Sequence, residues 1–383
     1  MSEYQYYEFL AIDSALDSAQ MQELRRLSSR AHITPTSFVN TYEWGDFRGN
    51  PRRLMEQYFD AFLYLANWGT RRLMLRLPER LLDLPTVQRY CPTDIAATAW
   101  AKNGHVIIEL TDESDDDVWD DEDGHGILAS IISARADLAA GDLRLLYLAW
   151  LHTVSTGELD DEVEPPVPAG LAALNAPLRS LVDFIHIDQD LLAVAAQASP
   201  RQRQVKPTRA QLASWIQNLP IKDKDTAILR VMRGEDAHLR AELLRRYDGE
   251  AAPNPQAGSG RTVAELLDAA QARREHREHH EAQERERVRV RAERDAAAER
   301  DRRLDALAAE GENAWVRVIQ LIETKKTSEY DAAVSLLREL HELAWREGEP
   351  DTFDKRLHDL RQRYANRPAL LHRISQAGLP AGK

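Results

Sequence analysis

The chain has 383 residues, of which 43% are hydrophobic and 30% charged, and its formal net charge is −13. This length allows about two or three domains with cores of their own. No apolar run approaches the roughly 18–20 residues of a membrane span, and the N-terminal MSEYQYY lacks the basic segment of a signal peptide. Cys91 is the only cysteine, which excludes an internal disulfide and a multi-cysteine metal site and predicts a reducing, cytoplasmic setting.

Residues 1–112 are predicted to form an α/β head module. The expected order is strand, helix, strand, helix, strand and hairpin, which indicates a mixed sheet with two helices on one face. Asn103-Gly104 is the strongest turn signal in the module. The predicted strands are 4–12, 36–44 and 70–77, the predicted helices are 18–31 and 51–67, and the predicted hairpin is 95–110.

The negative charge is concentrated just after the head. Residues 111–125 carry nine acidic side chains and no Lys or Arg, whereas the rest of the chain is nearly balanced. General attraction to nucleic acid or anionic membranes is therefore not expected. We interpret 113–125 as an acidic linker, with docking of a basic partner on 112–123 as the alternative. An EF-hand is excluded because Trp119 would occupy the first ligand position of the loop.

The segment after the acidic linker is predicted to be helical. Residues 126–247 form the predicted helical middle domain, and the Gly- and Pro-rich stretch 248–261 is the predicted flexible linker.

Residues 262–311 predict one long charged helix, because no Pro or Gly interrupts them between Thr262, the expected N-cap, and Gly311. The middle, 271–303, lacks the apolar seam of a coiled coil. Opposite charges at helical spacing stabilise such a stretch weakly, so we expect a solvated spacer helix with dimerisation restricted to its apolar ends. The expected pairs are Arg274–Glu278, Arg277–Glu281, Glu281–Arg285, Arg291–Asp295 and Glu299–Arg303.

The tail, 312–383, returns to leucine and valine at three- and four-residue spacing and predicts a helical bundle. The predicted fold class is therefore α+β: a mixed N-terminal sheet, a helical middle, a long charged helix and a C-terminal bundle.

Parts of the chain resemble families of uncharacterised bacterial proteins. The resemblance covers RAHITPTSFVNTYEWGDFRGNP and the residues after it, 30–78, and WIQNLPIKDKDTAILRVM with its continuation, 215–247. The tail, VIQLIETKKTSEYDAAVSLLRELHELAWREG (318–348) with 353–374, resembles the C-terminal ends of bacterial SWIM zinc-finger proteins. The SWIM motif needs several cysteines and a histidine, so only the helical context of that family is expected here.

The favoured ligand-site candidates lie where a strand and a predicted helix of the head end. Polar and aromatic residues meet there, as they do at ligand sites of α/β sheets, although capping and core packing explain the same residues. The candidates are Glu43, Trp44, Asp46, Arg48, Asn67, Trp68 and Arg71.

The basic segment 200–209 is the candidate nucleic-acid surface, with a charged interdomain loop as the alternative interpretation. Its cationic residues are Arg201, Arg203, Lys206 and Arg209.

Other chemical motifs fail on their spacing. His276, His279 and His280 have metal-ligand spacing, but nothing elsewhere completes a coordination shell. No phosphate-binding glycine loop is present, and Trp100 stands where a nuclease core needs a carboxylate. We therefore expect no cofactor and no metal.

The sequence favours a non-enzymatic interaction or scaffold protein that binds another protein through 112–123 or 262–311, with homo-oligomerisation left open. The first alternative is a nucleic-acid-associated subunit of a bacterial DNA or RNA processing or defence system. The second is an enzyme whose site lies in the head module.

Overall fold

The computed structural model describes residues 4–113, 124–201, 207–233, 238–251 and 260–380. It divides into two compact units, Met1–His276 and Arg277–Lys383. From Ser114 to Asp123, the acidic run lies outside the described residues.

Seven strands of the first unit form one sheet in the order β2-β3-β1-β4-β5-β7-β6. The α+β class is confirmed, but the expected mixture of strand directions is wrong, because every described pair is antiparallel. Three of these pairs are joined by short links, which only antiparallel neighbours allow. The strands are β1 Gln5–Leu10, β2 His32–Thr34, β3 Ser37–Tyr42, β4 Ala61–Ala66, β5 Arg71–Pro78, β6 Ala97–Lys102 and β7 His105–Asp112.

The helix predicted over 51–67 ends early. Asn50 caps helix α2, Pro51–Gln57, and the chain then enters β4. All six residues of β4, AFLYLA, are buried, because this central strand is covered on both faces. A continuous apolar run carries no period that separates such a strand from a buried helix, which is why the prediction failed there.

The hairpin expected around Asn103-Gly104 is confirmed as β6 and β7. Asn103 has φ 53° and Gly104 has φ 74°, the two positive angles that this tight turn requires.

Both faces of the sheet are buried. Successive apolar side chains along a strand point to opposite faces and so enter different cores. Phe9, Phe62 and Met74 face one core, with the side chains of α1, Ser18–Leu27, and α2. Leu63 and Leu75 face the other core, which also contains the helices that follow residue 126.

The helical layer therefore shares a hydrophobic core with the sheet. Its central helix, α6, buries nearly every residue, including Tyr147 and Trp150. Helix α3, Leu84–Gln88, lies between β5 and β6 in the sequence. The helices that follow residue 126 are α4 Ile127–Ile131, α5 Ser133–Ala139, α6 Arg144–Ser155, α7 Ala176–Phe184 and α8 Gln189–Gln197.

Three further helices of the first unit are packed less densely. They are α9 Arg209–Asn218, α10 Ile221–Met232 and α11 Leu239–Ala251. Neither α9 nor α10 has a buried side chain. We call 207–233 and 238–247 the helical group. An ion pair joins it to the sheet layer, in which Arg80 Nε lies 2.8 Å from Glu242 Oε1.

The long charged helix is confirmed as α12, Val263–Glu310, with Thr262 as its N-cap. Val263 and Leu266 are buried in the first unit, whereas Leu304 and Leu307 are buried in the second. Every residue from 275 to 303 is exposed, as expected of a helix that lacks an apolar seam.

Four of the five expected ion pairs along α12 are present. The exception is Arg274, which pairs with Asp188 of the first unit instead of with Glu278. This end of the helix packs on its own unit, so the half-buried Asp188 competes with Glu278 for the guanidinium.

The second unit contains four more helices around a core of its own. They are α13 Glu312–Glu323, α14 Thr327–Glu347, α15 Pro350–Arg363 and α16 Pro368–Gln376. Their apolar faces enclose Val318, Leu337 and Ile374, which are fully buried.

Candidate functional site

The predicted ligand site falls at one end of the sheet, where β1 starts and β3 ends. Glu43, Trp44 and Asp46 are exposed in the loop after β3. Gln5 Nε2 donates to the carbonyl of Gly45 at 3.2 Å and to Asp46 Oδ1 at 3.1 Å. Asp46 therefore helps to fix its loop to the sheet.

The remaining head candidates have structural partners or lie on the surface. Asn67 Oδ1 accepts a hydrogen bond from the backbone N–H of Tyr4 at 3.0 Å, so this side chain extends the pairing of β1 and β4 at one end of the two strands. Trp68 and Arg48 are exposed, and Trp68 lies in the turn between β4 and β5. The structure thus brings Asp46 to Gln5, the first residue of β1, and Asn67 to Tyr4, the residue before it.

Two tyrosine hydroxyl groups form buried hydrogen bonds at the same end of the sheet. Tyr7 and Tyr64 both donate to Gln5 Oε1, at 2.7 and 3.2 Å. Burial raises the pKa of Tyr7, and its neighbour Tyr64 raises it further. Burial also raises the pKa of Tyr64, so both phenols stay protonated and act as donors.

Arg71 belongs to a separate cluster that the sequence did not predict. Its register partner on β7 is Asp112, and both side chains are buried. His186 Nδ1 lies 2.7 Å from Asp112 Oδ2 and 2.8 Å from Arg71 Nη1. His186 has φ 49°, which is uncommon for a residue other than glycine. The cluster joins the sheet to the turn after α7, and no single stretch of sequence could reveal it.

The basic segment is described only at its two ends. Arg201 and Arg209 are exposed, and Arg209 begins α9. Arg203 and Lys206 lie outside the described residues.

Neither a metal cluster nor a membrane span occurs in the part of the chain that the structure describes. No group of three or more His, Cys, Asp or Glu side chains there could hold a metal ion. None of the helices described is long and apolar enough to cross a membrane. The three histidines of α12 are exposed, and His279 Nε2 lies 2.8 Å from the side-chain amide of Gln283.

A concave, mostly apolar surface lies in the helical group. It is an open groove of about 710 Å³. Its lining consists of one arginine and eight apolar residues: Pro207, Leu212, Trp215, Ile216, Val231, Leu239, Arg240, Leu243 and Leu244. This lining has no nucleophile, acid or base other than the guanidinium, so it is suited to binding and not to covalent chemistry.

A second apolar surface lies on α10, on a face that does not line the groove. Ile221, Ile228 and Met232 are 74%, 59% and 80% exposed. Their spacing of seven and four residues puts them in one row along the helix. We call these three residues the α10 stripe.

The sequence of α10 carries a signal for these surfaces. Residues 228, 229, 231 and 232 are all large and apolar. Together they extend over more of the helix surface than one core-facing stripe requires. A short helix with such a pattern has apolar residues left for a partner.

Comparison with protein-family profiles, with curated proteins and with solved structures finds no match to the chain. The resemblance of the tail to SWIM zinc-finger proteins stays a prediction.

Proposed function

We propose that this chain is a non-enzymatic interaction or scaffold protein that binds another protein through its helical group. The observation that carries the proposal is the concentration of exposed apolar side chains there. Among the described residues, sixteen large hydrophobic residues are exposed, and six of them lie between Ile216 and Met232. Exposed apolar patches on a folded protein mark interaction sites or ligand-binding grooves.

The lining of the groove supports binding in preference to catalysis. Trp215 and Arg240 are residue types that dominate the binding energy of protein interfaces, and both lie beside leucines and isoleucine. The cytoplasmic setting expected from the single cysteine is part of the same proposal.

The test is affinity capture from extract of the source cells with the full chain, followed by reconstitution with the purified partner. The groove variant is Ile216→Glu and the stripe variant is Ile228→Glu, because both side chains are about half exposed. Val288→Glu on α12 is the matched control, since Val288 is 66% exposed and far along the charged helix.

We expect the unmodified chain and the Val288 variant to bind the reconstituted partner equally. At least one variant of the helical group should weaken binding by about tenfold or more, because a buried carboxylate would replace an apolar contact. Equal binding by all four proteins would contradict the proposal. Binding that is lost only when salt is raised, with DNA or RNA as the ligand, would favour the nucleic-acid alternative.

A further inference from the structure

The groove is apolar at its floor and positively charged at its edge. Arg240 lines it and is exposed, and Arg209 lies one helical turn before the lining residue Leu212. None of the described residues that line the groove is an aspartate or a glutamate. The nearest acidic residue along α11, Glu242, is neutralised by Arg230 at 2.5 Å and Arg80 at 2.8 Å. The field at the groove edge therefore favours a partner of negative charge.

We propose that the groove binds an amphipathic helix whose apolar face is flanked by acidic residues. This inference depends on the proposed function and names the chemistry of the partner. A helix presents large apolar side chains at i, i+3 or i+4, and i+7 to a groove between helices. Glutamate or aspartate beside those anchors would pair with Arg240 and Arg209 without entering the apolar floor.

A second copy of the chain fits the groove less well. In a twofold dimer each groove meets the groove of the other copy, so two surfaces edged by Arg240 and Arg209 would face each other. Like charges brought together at an interface oppose binding. An acidic helix from another protein meets no such repulsion.

The experiment measures the binding of designed peptides to the full chain by fluorescence polarisation. The probe is a labelled 18-residue helix-forming peptide with leucines at i, i+3 and i+7 and glutamates on both flanks. One matched peptide carries lysines in place of the glutamates, and another carries alanines in place of the leucines. Arg240→Glu is the test variant, and Arg294→Glu, on an exposed part of α12, is the control.

We expect the glutamate peptide to bind the unmodified chain and the Arg294 variant equally. Arg240→Glu should weaken it by about tenfold and should strengthen the lysine peptide, because the sign of the charge at the edge is reversed. The alanine peptide should not bind. Far-UV circular dichroism checks that both variants remain folded.

Equal binding of the glutamate and lysine peptides, or no effect of Arg240→Glu, would overturn the inference. So would binding to phosphatidylserine vesicles when no peptide binds, since the groove would then select an anionic lipid surface. In each case the capture experiment with Ile216→Glu and Ile228→Glu still decides the proposed function. The two proposals can therefore fail separately.

Discussion

A network of buried charges lies where β1 ends and β5 passes the start of β4. Asp60 is fully buried and accepts from Arg76, whose Nη2 lies 2.8 Å from Asp60 Oδ1. Arg135 of α5 pairs with Asp13 at 2.6 Å, and His238 Nε2 lies 2.7 Å from the same carboxylate. Removing one member of such a network leaves a buried charge without its counterion, which destabilises more than the pair itself stabilises.

Asp13 makes this network sensitive to acid. Burial raises the pKa of its carboxyl, but the close contact with His238 and the hydrogen bonds from Arg135 outweigh burial and hold the pKa well below its usual range. A carboxyl of lowered pKa adds stability above its unfolded pKa of ~4 and loses that stability as pH falls towards the folded pKa. We expect Asp13→Asn to destabilise the first unit at pH 7 and to make its stability depend less on pH below 4.

Hydrogen exchange of β1 and β5 amides in both proteins over a pH series measures this difference within the unit. Asp225→Asn, at an exposed position of α10, should change neither the stability nor its pH profile. A pH profile unaltered by Asp13→Asn would mean that the carboxylate is not stabilised by its partners.

Cys91 is a packing residue and not a reactive thiol. Its side chain lies in the core shared by the sheet and the helical layer, and burial raises the pKa of the thiol to about 12. Because the thiolate is the reactive form, we expect no reaction with a thiol reagent at pH 7.5 in the folded protein. One equivalent should react after unfolding in urea. Cys91→Ala should cost at most a few kcal/mol of stability and leave partner binding intact. Rapid labelling of the native chain would contradict this assignment.

At the scale of elements, local signals were predictable and long-range ones were not. The Asn103-Gly104 turn and the Thr262 cap depend on neighbouring residues, so the sequence specifies them. The sequence could not show that AFLYLA is a central strand, because burial on both faces removes its period. The Asp112–His186 contact joins residues that are 74 positions apart, and only the fold brings them together.

The exposed part of α12 is stabilised as a helix by ion pairs between its own side chains. Arg289 pairs with Glu286 at 2.7 Å and with Glu293 at 3.3 Å, and all three side chains are solvated. Salt screens such pairs. We expect a peptide of residues 262–311 to be helical near 0 °C and to lose helix as salt rises, independently of peptide concentration. A control peptide with every glutamate of 275–303 replaced by glutamine should be less helical and should not lose helix as salt rises, because salt then screens mainly the repulsion between arginines.

Circular dichroism of both peptides over a range of salt and peptide concentrations measures these effects. Helicity that increases with concentration and ignores salt would indicate a packed coiled coil, and the solvated helix would then be wrong.

At the scale of the whole molecule, a change in amino-acid composition separates two stretches of sequence that share one hydrophobic core. The acidic run marks the end of the strands, yet Leu63 of the sheet and Trp150 of the helical layer belong to the same core. The second unit has its own core, formed by residues from Leu304 to Leu379. Each unit therefore buries its apolar surface within itself, and the exposed residues 275–303 contribute to neither core.

This division predicts how the chain responds to a break in α12. A Gly-Pro insertion after Ala282 should interrupt the helix, because proline removes a backbone donor and clashes with the preceding turn. The break falls among exposed residues, so we expect both units to keep their hydrogen-exchange protection and their thermal transitions. The same insertion after Leu266, which is buried in the first unit, should destabilise that unit by about 3 kcal/mol or more. If the Ala282 insertion instead unfolded both units in one transition, residues 275–303 would have to carry packing that a solvated helix lacks.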